Sequence, residues 1–203
     1  DEVAWVKSLF PDCEKYLDVY AKYGLLGRRS LFAHSIYLSE EEWQMMSDHD
    51  SAVAHCPTSN LFIGSGLFDL EQAEKFDIKV GMGTDVGGGT SFSLLQTLNE
   101  GYKVQQLKGH TLTPLKSFYL ATLGGARALD LDDKIGSFKV GCEADFVVLD
   151  YKSTPLIDLR MSHCKHIIEK LFVLSTLGDD RSIYATHILG ECVQIRRKEQ
   201  KDK

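Results

Sequence analysis

Three short apolar runs constrain the chain most. Leu31-Phe32-Ala33, Ala52-Val53-Ala54 and Ile78 through Thr84 are each followed at once by a residue able to bind metal or move a proton: His34, His55 and Asp85. Between the runs lie helix signals. Ser39-Glu40-Glu41-Glu42 and Asp69-Leu70-Glu71-Gln72 have the capping-box pattern, in which the N-cap side chain and the residue three positions on satisfy each other's backbone donors. Strands alternating with helices imply a parallel sheet built from crossover units of about 30 residues, the scale of the intervals from His34 to His55 and from His55 to Asp85. In such sheets functional side chains gather at the carboxyl ends of the strands, where loops vary without disturbing the core. The expectation is an α/β fold with His34, His55 and Asp85 at one end of a parallel sheet.

The flanking segments extend this pattern. Apolar spacing predicts a helix from Cys13 to Tyr23 with Gly24 as its C-cap, another from Ser93 to Gln106, and a third after Thr113, with Pro114 at the first helical position. The texture changes near Asp132. Residues 135–150 are rich in glycine and β-branched side chains and predict short strands with a turn; a helix carrying Ile167, Ile168, Leu171, Phe172 and Leu174 comes next. Two further strands are expected around 183–189 and 192–195, joined through Gly190-Glu191. This divides the chain at 1–133 and 134–203.

Composition excludes several classes of function. With 203 residues and 43% hydrophobic content the chain can bury a sizeable core. A net charge of -6, mixed along the chain, argues against nucleic acid as a principal partner. The one basic cluster, Arg196 to Lys203, reads as a solvated terminus. Five scattered cysteines fit reduced thiols and a cytoplasmic location better than a disulfide framework. No apolar run reaches the roughly 18 residues that span a bilayer. Asp1 to Lys7 lacks a signal-peptide pattern and opens without Met in what reads as an amphipathic helix, so the true beginning is expected upstream.

Each candidate residue has a functional and a structural reading. A neutral His34 can bind a metal or hold a nucleophilic water, whereas a lone histidine is more often structural. His55 either serves the site or orients its loop, with Pro57 and Asn60 shaping the turn. Asp85 sits beside Gly87-Gly88-Gly89, whose freedom allows a ligand to approach the main chain; the alternative is an Asp capping the next helix. The string from Gly81 to Gly89 fits neither the dinucleotide fingerprint nor a P-loop. His163 and His166, three apart with Cys164 between them, read as surface histidines on a helix or as a metal pair. The cytidine-type zinc deaminase signature is absent.

Ala33-His34-Ser35-Ile36-Tyr37-Leu38, Ala54-His55-Cys56-Pro57-Thr58-Ser59-Asn60-Leu61 and Gly81-Met82-Gly83-Thr84-Asp85-Val86-Gly87-Gly88 resemble the amidohydrolase superfamily of metal-dependent hydrolases. Within it, the stretch from Thr84 to Ser93, Ala121 to Leu129 and Leu177-Gly178-Asp179-Asp180-Arg181 resemble the guanine deaminases. The resemblance implies a (β/α)8 TIM barrel, with about three of its eight strands in 1–133 and part of a small flanking β-sandwich in 134–203. It implies that Asp85, on the last strand, binds zinc and accepts a proton from the metal-bound water. His34, after the sixth strand, would contact that water and the substrate, paired with Asp85 across neighbouring strand ends; His55 would support the substrate site. The implied reaction converts guanine to xanthine and ammonia in a cytoplasmic homodimer.

The chain also departs from that family. No His-x-His occurs in its 203 residues. That motif, the His-x-x-Glu and the purine-reading arginine are all expected upstream, since Asp1-Glu2-Val3 resembles the stretch immediately after the family's His-x-x-Glu. Three strands leave two sheet edges open, and one Asp with one or two His falls short of the three protein ligands of a catalytic zinc. Two rival readings stay open: a non-catalytic fragment or partner of an N-terminal half, and another member of the superfamily, such as a cytosine- or adenosine-type deaminase or a chlorotriazine hydrolase. Val86-Gly87-Gly88-Gly89 favours guanine.

Overall fold

The computed structural model describes residues 2–196, beginning with α1 (Glu2–Leu9) and α2 (Tyr16–Lys22). Helix α2 starts at Tyr16 rather than Cys13. It ends with Gly24 at φ 67°, a left-handed turn that glycine adopts without steric cost. After β1 (Leu31–Ala33) comes α3 (Glu40–Asp48), opened by the predicted capping box: Ser39 Oγ accepts the Glu42 N–H at 3.3 Å and Glu42 Oε2 accepts the Ser39 N–H at 2.9 Å. The same carboxylate accepts the Leu17 N–H at 3.0 Å through Oε1, which ties α2 to α3 and lets Glu42 sit only 4% exposed.

Strand β2 (Ala52–His55) runs into α4 (Pro57–Phe62), a short helix where the sequence predicts a turn. Pro57 stands at its start, where no backbone N–H is needed. Helix α5 (Leu70–Lys75) has a one-sided cap: Asp69 accepts the Gln72 N–H at 3.0 Å, and its second oxygen pairs with Lys108 at 3.1 Å. Strand β3 (Lys79–Met82) comes next. The three strands form a parallel sheet in the order β1-β2-β3, with Ala33 beside Ala54 and Ala54 beside Gly81. Leu17, Trp43, Met46, Val53, Phe68 and Val80 are buried together, joining α2 and α3 to the sheet. Each such side chain contributes about 1.5–3 kcal/mol by leaving water.

Beyond the sheet lie α6 (Leu94–Leu107), α7 (Pro114–Leu120) and α8 (Leu123–Ala128). Thr113 caps α7 as predicted, accepting the Lys116 N–H at 3.3 Å. Helix α8 has no counterpart among the predicted elements. It lies on β3 through glycine: a Cβ on Gly81 would stand 2.8 Å from Gly125 Cα.

The C-terminal part comprises β4 (Phe146–Leu149), α9 (Pro155–Ser162), α10 (Ile167–Leu177), β5 (Ile183–Ile188) and β6 (Glu191–Ile195). Of the short strands expected over 135–150, only β4 forms. Strands β4, β5 and β6 make an antiparallel sheet in that order, with β5 and β6 joined by Leu189 and Gly190 at φ 52° and 82°, the positive angles of a tight hairpin turn. Phe172 of α10 meets Tyr102 of α6 edge-on at 5.4 Å between ring centres. Arg196, expected in a solvated tail, instead pairs with Asp150 and donates to the Arg181 carbonyl; the rest of that tail lies outside the described residues. No disulfide forms among the described residues, and no described helix is long and apolar enough to cross a membrane.

Candidate active site

Because β1, β2 and β3 are parallel, the chain leaves all three at the same end of the sheet. The His34 N–H still donates to the Ala54 carbonyl at 3.1 Å, so the ladder continues one residue past β1. There the backbone turns sharply: His34 and Ser35 have φ of 68° and 48°, and Asp85 has φ of 47°. Non-glycine residues held this way cost about 1–3 kcal/mol each and collect at functional sites. The Asp85 carbonyl accepts the Gly89 N–H at 2.5 Å, closing a tight turn. A Cβ on Gly88 would stand 2.7 Å from Ser59 Oγ and 3.2 Å from Asp85 Oδ2, so glycine is what lets the turn lie against α4 beside the carboxylate.

This geometry brings two of the three expected residues together. His34 Nε2 lies 3.7 Å from Asp85 Oδ2, with the side chains 39% and 41% exposed. That separation is too long for a direct hydrogen bond, and leaves both atoms free to engage a common third group. The strands that carry them are not neighbours, contrary to the expectation from sequence: β2 runs between.

His55, at the end of that middle strand, lies elsewhere. Its side chain is fully buried, with its ring 4.7 Å from that of Phe68. Among the described residues neither ring nitrogen has a hydrogen-bond partner, and burial pushes its pKa down to about 3, so the imidazole is neutral. Next to it, burial and then the negative charge of Asp85 push the Cys56 thiol up to about 11, which keeps it protonated and poorly nucleophilic at neutral pH.

Sequence reasoning missed Asn60. Its side chain is 1% exposed and its Oδ1 lies 2.7 Å from His34 Nδ1. The available signal was Pro57, two residues past the end of β2, which marks a helix start and puts Thr58, Ser59 and Asn60 in its first turn; all three are buried. Thr58 Oγ1, Ser59 Oγ and Asn60 Nδ2 have no hydrogen-bond partner among the described residues. His163 and His166, in contrast, do not share a helix: His163 is the C-cap of α9 and His166 the N-cap of α10.

Among the described residues no group of three or more His, Cys, Asp or Glu side chains is placed to hold a metal ion. A catalytic zinc takes three protein ligands, so the donors described here do not by themselves fit one; the half-exposed Asp85 carboxylate can supply a single ligand.

Known proteins share this fold over nearly the whole chain. The chain is 57% identical to the guanine deaminase of Escherichia coli (strain K12) over 196 residues, covering 97% of this chain and 45% of that protein. It is 38% identical to the guanine deaminase of Mus musculus over 205 residues, covering 95% and 44%. The solved E. coli guanine deaminase superposes with a TM-score of 0.95 at 56% identity, over 97% of this chain and 46% of that one. The guanine deaminase from C. acetobutylicum, with guanine bound in its active site, gives 0.85 at 30% identity, over 95% and 46%. The chain thus spans about half the length of the curated relatives it matches. The family description "Amidohydrolase family" matches residues 1–193, nearly the whole chain, and on that match the chain belongs to the amidohydrolase family.

Proposed function

We propose that the chain is the C-terminal part of a guanine deaminase, which hydrolyses guanine to xanthine and ammonia. The observation that carries this reading is the 3.7 Å approach of His34 Nε2 to Asp85 Oδ2 at one end of the parallel sheet. Hydrolytic deamination adds water to the ring carbon that bears the amine. It then needs a proton taken from that water and delivered to the departing nitrogen. Asp85 is the proton acceptor and His34 holds the water and the ring beside it. His55, fixed in the core, supports the end of the middle strand beneath the substrate.

Asp85 is also one ligand of a zinc ion whose other ligands come from the part of the relatives that this chain does not span. Zinc, when bound, makes water acidic enough to react near neutral pH. In this reading β1 to β3 are three strands of a (β/α)8 barrel formed within 1–133, and 134–203 belongs to a flanking β-sandwich. The full protein is a cytoplasmic homodimer. The isolated chain is inactive, for want of ligands.

The test uses the full-length protein, with guanine conversion measured as xanthine formed and zinc measured by elemental analysis. Asp85→Ala is expected to lower turnover at least about 100-fold and to release zinc. Undiminished turnover in that variant would overturn the assignment. A higher kcat/KM on adenosine, cytosine or a chlorotriazine would move the protein to another activity of the family.

A further inference from the structure

Asn60 occupies an unusual position for a side chain whose sequence context reads as a turn. It lies in α4, where its N–H donates to the Cys56 carbonyl at 3.0 Å and its carbonyl accepts the Ser65 N–H at 2.9 Å, so its backbone is fixed on both sides. Its side chain, 1% exposed, is enclosed. His34 is held by its N–H bond to the Ala54 carbonyl, but its side chain is 39% exposed and its backbone is in a left-handed conformation at the mouth of a loop. The 2.7 Å contact from Asn60 Oδ1 to His34 Nδ1 therefore joins a rigid acceptor to a ring that would otherwise turn.

We propose that Asn60 is the positioning residue for His34: its amide oxygen accepts the Nδ1 proton, which fixes the ring tautomer and leaves the Nε2 lone pair facing Asp85. Which nitrogen of a histidine carries the proton is set by the hydrogen bond that the other makes. An amide oxygen accepts and does not donate, so it selects the Nδ1–H form. Nε2 and the Asp85 carboxylate are then two acceptors 3.7 Å apart, converging on one group that brings two protons. A water molecule has that chemistry. Helix α4 also meets the Asp85 turn, with Ser59 Oγ against Gly88, so a single short helix sets the position of both acceptors.

This inference rests on the deaminase reading for its consequence in rate, but not for the tautomer itself. The deciding measurement is the nitrogen-15 spectrum of His34 in the full-length protein without substrate, compared with Asn60→Leu and Asn60→Asp. The parent is expected to show protonation at Nδ1. Asn60→Leu, which removes the acceptor at similar size, is expected to give a mixture of tautomers. Asn60→Asp, which keeps an acceptor in the same place, is expected to restore the Nδ1–H form. With guanine, Asn60→Leu should lower kcat about 10–100-fold with little change in KM and unchanged zinc content, the scale on which partners that orient metal-ligating histidines act. A parent protonated at Nε2 overturns the proposal, and so does an Asn60→Leu variant with an unchanged tautomer. If Asn60→Leu fails to fold, the parent and Asn60→Asp spectra still decide it. Should the protein fail to deaminate guanine, the spectra stand on their own.

Discussion

His55 packs its ring 4.7 Å from that of Phe68, at a tilt of 31°, in a place that water does not reach. Burial lowers its pKa to about 3, whereas an unfolded histidine titrates near 6.5. Between those values the unfolded chain binds the proton and the folded chain does not, so stability rises with pH. The contribution is complete above about pH 6.5 and declines below it by up to about 1.4 kcal/mol per unit. Asp179, held below the usual carboxylate range first by its bonds to Arg181, adds a second loss only below about pH 4. Urea midpoints should therefore fall between pH 7 and pH 5, and His55→Leu should remove most of that fall. Equal midpoints in the parent at the two pH values would contradict this account.

Replacing Gly81 by alanine should be costly despite the small change. The added methyl meets the Gly125 backbone at 2.8 Å, and a main chain cannot swing aside as a side-chain tip can. Overpacking of this kind costs about 1–3 kcal/mol. A lowered melting temperature is expected, and an unchanged one would mean that α8 rides more loosely on β3 than the contact implies.

Glu42 joins two helices through one carboxylate. Glu42→Ala leaves the buried Leu17 N–H and the Ser39 N–H without their acceptor, and hydrogen bonds to charged groups contribute about 1.5–3 kcal/mol each. Chemical denaturation should show a loss of at least about 2 kcal/mol. Glu42→Gln, which keeps one carbonyl oxygen, should lose less.

His34 and Asp85 should separate by readout. In the full-length protein His34→Ala is expected to reduce kcat by about 100–10,000-fold while zinc content holds, since general acid-base groups contribute on that scale. Asp85→Ala should lose both. Loss of zinc from the His34 variant would make His34 a ligand as well.

The elements that sequence makes legible are those with local causes. Ser39 and Glu42, or Thr113 and Pro114, carry their helix starts within four residues, and the structure places those starts where the caps require. The same signal stands at Thr154-Pro155, which opens α9. Residues 135–150 mislead because strand preference reflects packing more than backbone taste; Val140, at 99% exposure, has nothing to pack against. Helices α4 and α8 are hidden for another reason. Their buried faces carry Ser59, Asn60, Gly124 and Ala126 in place of large apolar side chains, so no hydrophobic period announces them.

The candidate site divides in the same way. His34 and Asp85 are visible because each directly succeeds an apolar run, and chain direction alone puts both at one end of the sheet. The contacts between strands are not visible. His55, two residues past Val53 within β2, takes the same core-facing side by strand alternation, whereas the contact between His34 and Asn60 depends on how α4 is laid down.

The left-handed backbone at His34, Ser35 and Asp85 has an evolutionary consequence. Glycine in any of these places would relax the main chain, so a variant that resists heat better is within one substitution of the candidate site. A laboratory selection for heat tolerance alone would be expected to wear these positions away first, while selection for turnover would keep them. Their persistence in a pool of surviving variants thus reports which of the two pressures was acting.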